Sequence, residues 1–318
     1  MEFITQQAVP LCLCGEISFR YPPELPTAYG LSTAPNNVGP CAGANIRASL
    51  FKNCSAPADA LQQLAEGLIS TSGSKPMNSS AVRQEEVGNL LLASLPPDEF
   101  RQLAPQLARV GLEAGARLYE PEEVVPFIHF AEGGLLSLLS TLEDGVSVEV
   151  GALGREGLGG LLVLLGSDVA AHTAAVRVGA TALRIRTTQA RECFERLPGF
   201  RARVLRYSRL LMSQVSQATL CNTTHTVEQR LARWLMLARL RLGGETIPVT
   251  HESLSHMLGV RRSGVTVTVG TLGQAGLVSH GRGFVRVEDA AGLANASCVC
   301  YRPLAEEYDN FSNSLSTL

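Results

Sequence analysis

Short apolar runs recur through the middle of this 318-residue chain, and Gly, Asp and Glu separate them. One separator, Glu143-Asp144-Gly145, has the composition of a tight turn. Regularly spaced short strands with such turns predict an antiparallel barrel or sandwich. The predicted strands are Phe127–Ala131, Leu135–Leu142, Ser147–Val150, Ala174–Val178 and Ala182–Ile185. Ahead of them, Gly88–Leu95 and the segment from Pro96 predict two short helices.

A helical period replaces the strand pattern after residue 200. Between Phe200 and Leu220, apolar side chains recur at intervals of three or four residues, which places them on one helix face. They are Val204, Tyr207, Leu211, Val215 and Ala218. This stripe fits two interpretations. It can pack against the β domain of its own chain, or it can form a seam between two chains. The near-heptad spacing favours the seam, and therefore a dimer.

A capping box opens the next predicted helix. In Thr226-Val-Glu-Gln229, the threonine and the glutamine can satisfy each other's backbone N–H groups. The helix runs over Val227–Leu242, and Gly243 supplies the residue type that commonly ends helices.

Two further helices and a hairpin complete the C-terminal pattern. Thr250 is the predicted N-cap of a helix over His251–Leu258, and Gly259 makes the turn that follows. The next helix starts at Arg261 or Arg262 and runs to Ala275, and Leu277–Val287 predicts two short strands around a glycine-rich tip. Two helices joined by a tight turn and followed by such a wing predict a winged helix-turn-helix domain.

The N-terminal end of the second of these helices carries side chains suited to DNA. In a helix-turn-helix that end enters the major groove, so its outward side chains must be polar or cationic. Arg can bond guanine O6 and N7 together, and Ser or Thr can serve bases or phosphates. The segment from Arg261 to Ala275 contains no acid, which favours DNA over purely protein contacts. The candidate DNA-binding residues are Thr250, Arg261, Arg262, Ser263, Thr266 and, on the wing, Arg282.

Charge is distributed unevenly along the chain. The formal net charge is −2, yet residues 226–290 hold eight Arg against five acids, which favours a nucleic-acid partner for this part. Apolar residues make up 45% of the sequence, enough for two cores. The longest apolar stretch, residues 157–166, is too short to cross a bilayer, and the N-terminus does not have the pattern of a signal peptide. We therefore expect a cytoplasmic protein with mostly reduced cysteines and no membrane partner.

Residues 1–82 differ from the rest in composition. They are rich in Pro, Ser, Gly and Asn and show little apolar periodicity, which predicts a low-complexity, disordered extension. A second hypothesis is that translation begins at Met77, just before the first well-patterned segment.

From about Asn89 to Leu293 the chain resembles the Crp/Fnr transcription regulators. The stretch Thr250-His-Glu-Ser-Leu-Ser-His-Met-Leu-Gly-Val-Arg-Arg-Ser-Gly-Val265 is similar to the family's helix-turn-helix. The resemblance implies an α+β fold in three parts: an N-terminal antiparallel β-roll of the cyclic-nucleotide-binding type, a long dimerisation helix and a C-terminal winged helix-turn-helix. These parts correspond to residues 83–199, 200–225 and 226–292, and 293–318 would be a C-terminal tail.

The resemblance also implies a function. A homodimeric, non-enzymatic regulator would read a two-fold symmetric operator on double-stranded DNA, with RNA polymerase as a further partner. Arg262 lies where the family has a base-reading Arg, but Ser263 replaces the Glu that commonly follows it. Val267 stands where well-known activators carry a second Arg, so we expect a different operator. The rival interpretation is a small-molecule sensor whose helix-turn-helix serves protein contacts.

The sensory part departs further from the family. Gly154-Arg-Glu-Gly157 is similar to the family's phosphate-binding cassette, and Glu156 matches its Glu. The family's phosphate-binding Arg is missing, because the corresponding stretch reads Ala171-His172-Thr173. Cyclic AMP or GMP is therefore not expected as the ligand. The candidate effector residues are Arg155, Glu156, His172 and Thr173, and the simpler interpretation of the first two is a turn satisfied by its own side chains. The glycine-rich loop also lacks the Gly-Lys-Ser/Thr ending of a P-loop.

Eight cysteines do not reproduce the four-ligand spacing of the iron–sulfur members of the family. Cys193 and Cys221 are isolated in sequence, and the Cys298/Cys300 pair has a spacing less typical of zinc than C-x-x-C. We therefore expect no metal site and no iron–sulfur or haem cofactor, with the histidines as surface or core residues. Redox or metal sensing through Cys298/Cys300 or the N-terminal cysteines stays open as an alternative.

Overall fold

The computed structural model describes residues 74–76 and 82–316. Most of the predicted extension, together with Met77, lies outside the described residues. Its described piece, strand β1 (Ser74–Pro76), pairs antiparallel with β2 (Ala108–Leu112). These three residues therefore belong to the β domain rather than to the extension.

Strands dominate the first half of the described chain and helices the second. The further strands are β3 (Arg117–Tyr119), β4 (Phe127–Ala131), β5 (Leu135–Thr141), β6 (Ser147–Leu153), β7 (Leu158–Gly159), β8 (Thr173–Val178), β9 (Ala180–Arg186), β10 (Thr246–Ile247), β11 (Val278–Gly281) and β12 (Phe284–Val287). The helices are α1 (Leu90–Ala93), α2 (Pro97–Leu103), α3 (Leu161–Leu164), α4 (Thr187–Arg196), α5 (Pro198–Thr224), α6 (Val227–Leu242), α7 (His251–Leu258), α8 (Arg262–Gln274), α9 (Ala290–Ala296) and α10 (Tyr301–Ser316).

Two antiparallel sheets form the predicted β-roll. One has the strand order β1-β2-β9-β4-β7 and the other β3-β8-β5-β6. Each of the five predicted strands coincides with an observed strand to within three residues at either end. The inward side chains of both sheets, such as Ile128, Phe130 and Val176, are fully buried. These side chains and their neighbours form the first hydrophobic core, which holds the two sheets of the roll together.

The long helix packs on this roll. Val204 and Tyr207 are 0% exposed and belong with Leu211 to the roll's core, while Val215 packs at its edge. Ala218 is also buried. A side chain that its own chain covers completely cannot line a seam between chains. Val204 and Tyr207 therefore do not form the predicted seam, because the apolar spacing of a helix does not reveal which surface covers it. Leu211, Val215 and Ala218 keep part of their surface exposed, and a seam through them stays a prediction.

The winged helix-turn-helix forms as predicted. Thr226 caps α6 and completes the capping box with Gln229, and Thr250 caps α7 by accepting a hydrogen bond from Ser253 N–H at 3.0 Å. Gly259 takes the left-handed conformation, with φ of 63°, in the turn before α8. Strands β11 and β12 form the wing, and β10 pairs with β12 to complete a small antiparallel sheet.

Most of the described residues assigned to a C-terminal tail are helical. Helix α10 packs against α5, where the rings of Tyr207 and Phe311 lie 6.4 Å apart. Phe311 and Leu315 are buried in the roll's core. An ion pair between Arg209 and Glu307 joins the same two helices. None of the helices in the described part of the chain is both long enough and apolar enough to cross a membrane.

Candidate nucleic-acid interface

The start of α8 is an open, cationic surface. Arg261 is its N-cap, Arg262 its first residue, and Ser263 follows; all three are exposed. Burial of Val265, Val269 and Leu272 on the opposite face holds the helix against α6 and α7. This packing has to hold a helix that is rich in β-branched residues and glycine, since its intrinsic propensity is low. Packing therefore holds α8 in place, while the side chains of its outward face are exposed and can contact a ligand.

Threonine side chains on α8 turn their hydroxyls back to the helix. The Oγ1 atom of Thr266 donates to Arg262 O at 3.1 Å, that of Thr268 to Gly264 O at 2.8 Å, and that of Thr271 to Val267 O at 3.1 Å. Back-bonded hydroxyls of this kind leave the methyl groups outward. Val267 adds an apolar side chain that is 69% exposed. This face therefore combines guanidinium groups, which can hydrogen-bond guanine, with methyl groups, which can contact the methyl group of thymine.

The wing stands beside this face. Arg282 lies at its exposed tip between β11 and β12. The rings of His251 on α7 and His280 on β11 are 5.7 Å apart, and His251 Nδ1 lies 3.0 Å from Thr266 Oγ1. Burial first, and then the charges of His280 and Arg262, lower the pKa of His251. Of the six predicted DNA-binding residues, all are exposed and distributed over the α7 start, the α8 start and the wing tip.

The roll contacts the winged helix-turn-helix directly. Leu135 and Ala152 of the roll are part of the second hydrophobic core, together with Trp234 of α6. The indole N–H of Trp234 donates to Glu149 at 2.9 Å, and Arg177 donates to Ser253 Oγ at 3.3 Å. Burial raises the pKa of the Glu149 carboxyl, against the lowering effect of these donors.

Gly259 lies close to the roll. A Cβ at this position would lie 2.8 Å from Cγ2 of Val148 on β6. The turn of the helix-turn-helix therefore needs glycine twice, for its positive φ and for its contact with the roll.

A buried ion pair extends the same contact. Arg241 Nε donates to Glu156 Oε1 at 2.8 Å, and the two side chains are 3% and 0% exposed. Arg241 also donates to Gln214 Oε1 of α5 at 3.0 Å, and Gly154 N–H donates to Glu156 Oε2 at 3.0 Å. Glu156, predicted to face an effector, is thus engaged by a helix of the DNA-binding domain.

The other predicted effector residues are dispersed. The Nε atom of Arg155 donates to Gly88 O at 2.8 Å on the surface, and Thr173 Oγ1 donates to Glu120 at 2.5 Å. Only His172 lines the cavity that the roll forms with α5. Arg155, Glu156 and Thr173 therefore do not line this cavity. Sequence spacing around the glycine loop could not show which partners these side chains find.

That cavity measures about 330 Å³ and is largely apolar. Its walls include Leu138, Leu158 and Leu161 of the roll and Leu211 and Met212 of α5. Of the described residues that line it, none is Arg or Lys, and burial lowers the pKa of His172. The walls therefore provide no permanent cation for a phosphate.

One face of α5 is uncovered. Leu205, Met212 and Leu220 are 48%, 70% and 51% exposed, and they follow one another at steps of seven and eight residues. Sequence periodicity pointed to the neighbouring buried stripe, because both stripes share the helical period and the buried one is more apolar.

The comparisons with known proteins agree with this geometry. Residues 229–296 match the model of the Crp-like helix-turn-helix domain. No curated protein sequence matches the chain.

Solved structures extend the likeness to the roll. A regulator assigned to the crp/fnr family from Eubacterium rectale is 17% identical and has a TM-score of 0.51; the match covers 65% of this chain and 96% of that one. FixK2 from Bradyrhizobium japonicum is 12% identical with a TM-score of 0.54, over 61% of this chain and 98% of its own. A CRP-family regulator from Thermus thermophilus is 18% identical with a TM-score of 0.50, over 59% and 95%. The chain therefore has the fold of the Crp/Fnr transcription regulators and carries a Crp-like helix-turn-helix domain, as its sequence predicted.

Proposed function

We propose that this protein is a homodimeric, non-enzymatic transcription regulator that reads a two-fold symmetric operator on double-stranded DNA. The observation that carries the proposal is the exposed, acid-free start of α8, with Arg261 and Arg262 side by side in the matched helix-turn-helix. Each α8 would enter one major groove, with Arg282 of the wing on the backbone. RNA polymerase is the further partner of a regulator bound at a promoter.

The exposed face of α5 supports the dimer. Leu205, Met212 and Leu220 form an apolar stripe at near-heptad spacing, and a second copy of α5 would cover it. Two such helices side by side would place two DNA-binding domains about one helical turn of DNA apart, roughly 34 Å. Met212→Glu should give a monomer in analytical ultracentrifugation, whereas Leu142→Glu, at an equally exposed position off the helix, should leave the dimer intact. Equal behaviour of the two variants would end this assignment.

The cavity beside α5 is the proposed signal site. Its apolar walls favour an uncharged, largely apolar small molecule over a cyclic nucleotide. Met212 belongs both to this cavity and to the exposed face of α5, so an occupant would touch the residue on which dimerisation depends.

Selection of genomic DNA by the purified protein tests the function. We expect a symmetric motif and salt-sensitive binding, because neutralised phosphates release counterions. Arg262→Ala should lose roughly 1–3 kcal/mol of base discrimination. Arg196→Ala, an exposed arginine on α4, should bind as the unaltered protein does. A protein that selects no motif, or an Arg262→Ala variant with unchanged affinity and preference, would favour a helix-turn-helix that serves protein contacts.

A further inference from the structure

Three thiols and an imidazole meet where the long helix ends. Cys221 lies in the last turn of α5, and His225 is the residue that ends it. Cys298 and Cys300 come from the loop between α9 and α10, almost eighty residues later in the chain. One ligand atom from each of the four lies within 4.8 Å of every other. Within the described part of the chain, no other group of three or more such side chains converges in this way.

The distances suit a single tetrahedral ion. Cys221 Sγ is 3.3 Å from Cys298 Sγ and 3.4 Å from His225 Nδ1, and Cys300 Sγ is 3.7 Å from the same nitrogen. Zinc binds thiolate sulfur at about 2.3 Å and imidazole nitrogen at about 2.0–2.1 Å. Two sulfurs on one zinc ion therefore lie at most about 4.6 Å apart, and about 3.8 Å apart in a regular tetrahedron. A cluster of two or more irons needs some of its ligands farther apart than this, since they bind different irons.

Hydrogen-bond donors and a cation lie close to the buried sulfurs. The three cysteines are 0%, 3% and 1% exposed, in the order Cys221, Cys298 and Cys300. Gln217 Nε2 donates to Cys300 Sγ at 2.8 Å, and the backbone N–H of Cys300 donates to the Cys298 thiol. Three thiolates around Zn²⁺ carry one net negative charge, and the guanidinium of Arg233 acts on both Cys221 and Cys298. Donors and a nearby cation of this kind usually accompany metal thiolates.

We propose that Cys221, His225, Cys298 and Cys300 bind one Zn²⁺ ion. Three sulfurs and one nitrogen complete a tetrahedron and leave no position for water, so the site is structural rather than catalytic. The ion would tie the end of α5 to the segment that leads into α10, at the junction where α6 begins. This site replaces the expectation of no metal ligands, and it does not depend on DNA binding.

The test uses the full chain, purified under reducing conditions, stripped with a chelator and then titrated with ZnCl₂ or CoCl₂. Cobalt reports the ligands directly, because tetrahedral Co²⁺ gives intense d–d bands and thiolates add charge-transfer absorption. We expect uptake of about one ion per chain with both signatures. Loss of a group that merely orients a ligand costs roughly 10–100-fold in affinity, so Cys298→Ser should lose at least that much.

Two further variants keep the test decisive. Cys193→Ser removes a buried thiol outside the cluster and should bind metal as the unaltered protein does. His225→Ala alters a half-buried position, so it should fold and should bind Co²⁺ weakly, with an altered spectrum. Circular dichroism establishes folding for each variant. Three results would overturn the proposal: no uptake by the folded, reduced protein, equal uptake by all variants, or a Cys221–Cys298 disulfide in a protein that takes up no metal after reduction.

Discussion

Loss of Arg241 from its ion pair with Glu156 should weaken the contact between the roll and the DNA-binding domain by about 3 kcal/mol. Arg241→Met keeps the length of the side chain but leaves the Glu156 carboxylate buried without its cation. Removal of one partner of a buried pair costs about 3–5 kcal/mol. Gly154 N–H would still donate to Glu156 Oε2, so we expect the lower part of that range. Gln214 Oε1 would in turn lose its donor.

A double-mutant cycle isolates the pair. In Arg241→Met with Glu156→Leu no buried charge is left, and the loss should fall to about 1–3 kcal/mol for the unpaired Gln214 and Gly154 groups. Glu156→Leu alone leaves Arg241 buried without its anion and should also lose about 3 kcal/mol. The coupling free energy between the two positions should therefore be about 3–5 kcal/mol. Arg239→Met, on the same helix, is the matched control. Its partner Glu245 is 2.6 Å away, but both side chains are partly exposed, so solvent screens the pair and the loss should be much smaller than for Arg241→Met.

Urea unfolding followed by tryptophan fluorescence measures these losses. Trp234 is the single tryptophan of the chain and hydrogen-bonds Glu149 of the roll, so its emission reports on this contact. The Arg241→Met variant should unfold at lower urea, and its early transition should include the change in Trp234 emission. If the single and double variants lose the same free energy, or if Arg239→Met loses as much as Arg241→Met, the pair does not hold the two parts together.

Three further predictions follow from other parts of the molecule. Burial first, and then the charge of Arg184, lower the pKa of His129 to about 4, whereas the pKa in the unfolded chain is about 6.5. The free energy of unfolding should therefore fall by about 3 kcal/mol as the pH drops from 6.5 to 4. His129→Leu should flatten this pH dependence in urea titrations. Val267 should contact a thymine methyl in the selected operator. Replacing that thymine with uracil should therefore weaken binding of the unaltered protein by about 0.8 kcal/mol in fluorescence anisotropy. The same replacement should not weaken binding of Val267→Ala. Cyclic AMP should leave the Tm unchanged, because the walls of the cavity beside α5 hold no Arg or Lys; a rise in Tm would contradict the proposed apolar signal.

The sequence predicts local structure well where a few neighbouring residues determine the backbone conformation. The capping box at Thr226, the cap at Thr250 and the turn at Gly259 all lie where they were expected, because caps and turns depend on a few neighbouring residues. The β-roll strands follow from short apolar runs that turn residues separate, which is also a local signal. These features, with the exposed start of α8, were enough to identify the fold and the DNA-binding candidates.

Contacts between distant segments could not be predicted in this way. The choice of Arg241 as the partner of Glu156 depends on how α6 docks on the roll, which no local pattern encodes. Likewise, Cys221 appears isolated in the sequence, and its convergence with Cys298 depends on the path of α9. The covered and uncovered stripes of α5 share one period, so only packing distinguishes them.

Helix α5 is the element through which a signal at the cavity would have to act. Leu211 and Met212 line the cavity, Gln214 accepts from Arg241 one turn away, and Cys221 lies at the end. At 1.5 Å per residue these positions span only about 15 Å of helix. A ligand that displaces α5 would therefore disturb the Arg241 network before it reaches the junction with α6, which the proposed zinc ion would hold rigid. Moving a two-state equilibrium from 1:99 to 99:1 takes about 5.5 kcal/mol. Removal of one partner of the buried pair costs about 3–5 kcal/mol because the other charge stays buried. Displacement of α5 would separate the pair without removing either charge, so this contact would supply only part of the free energy needed to release the winged helix-turn-helix from the roll.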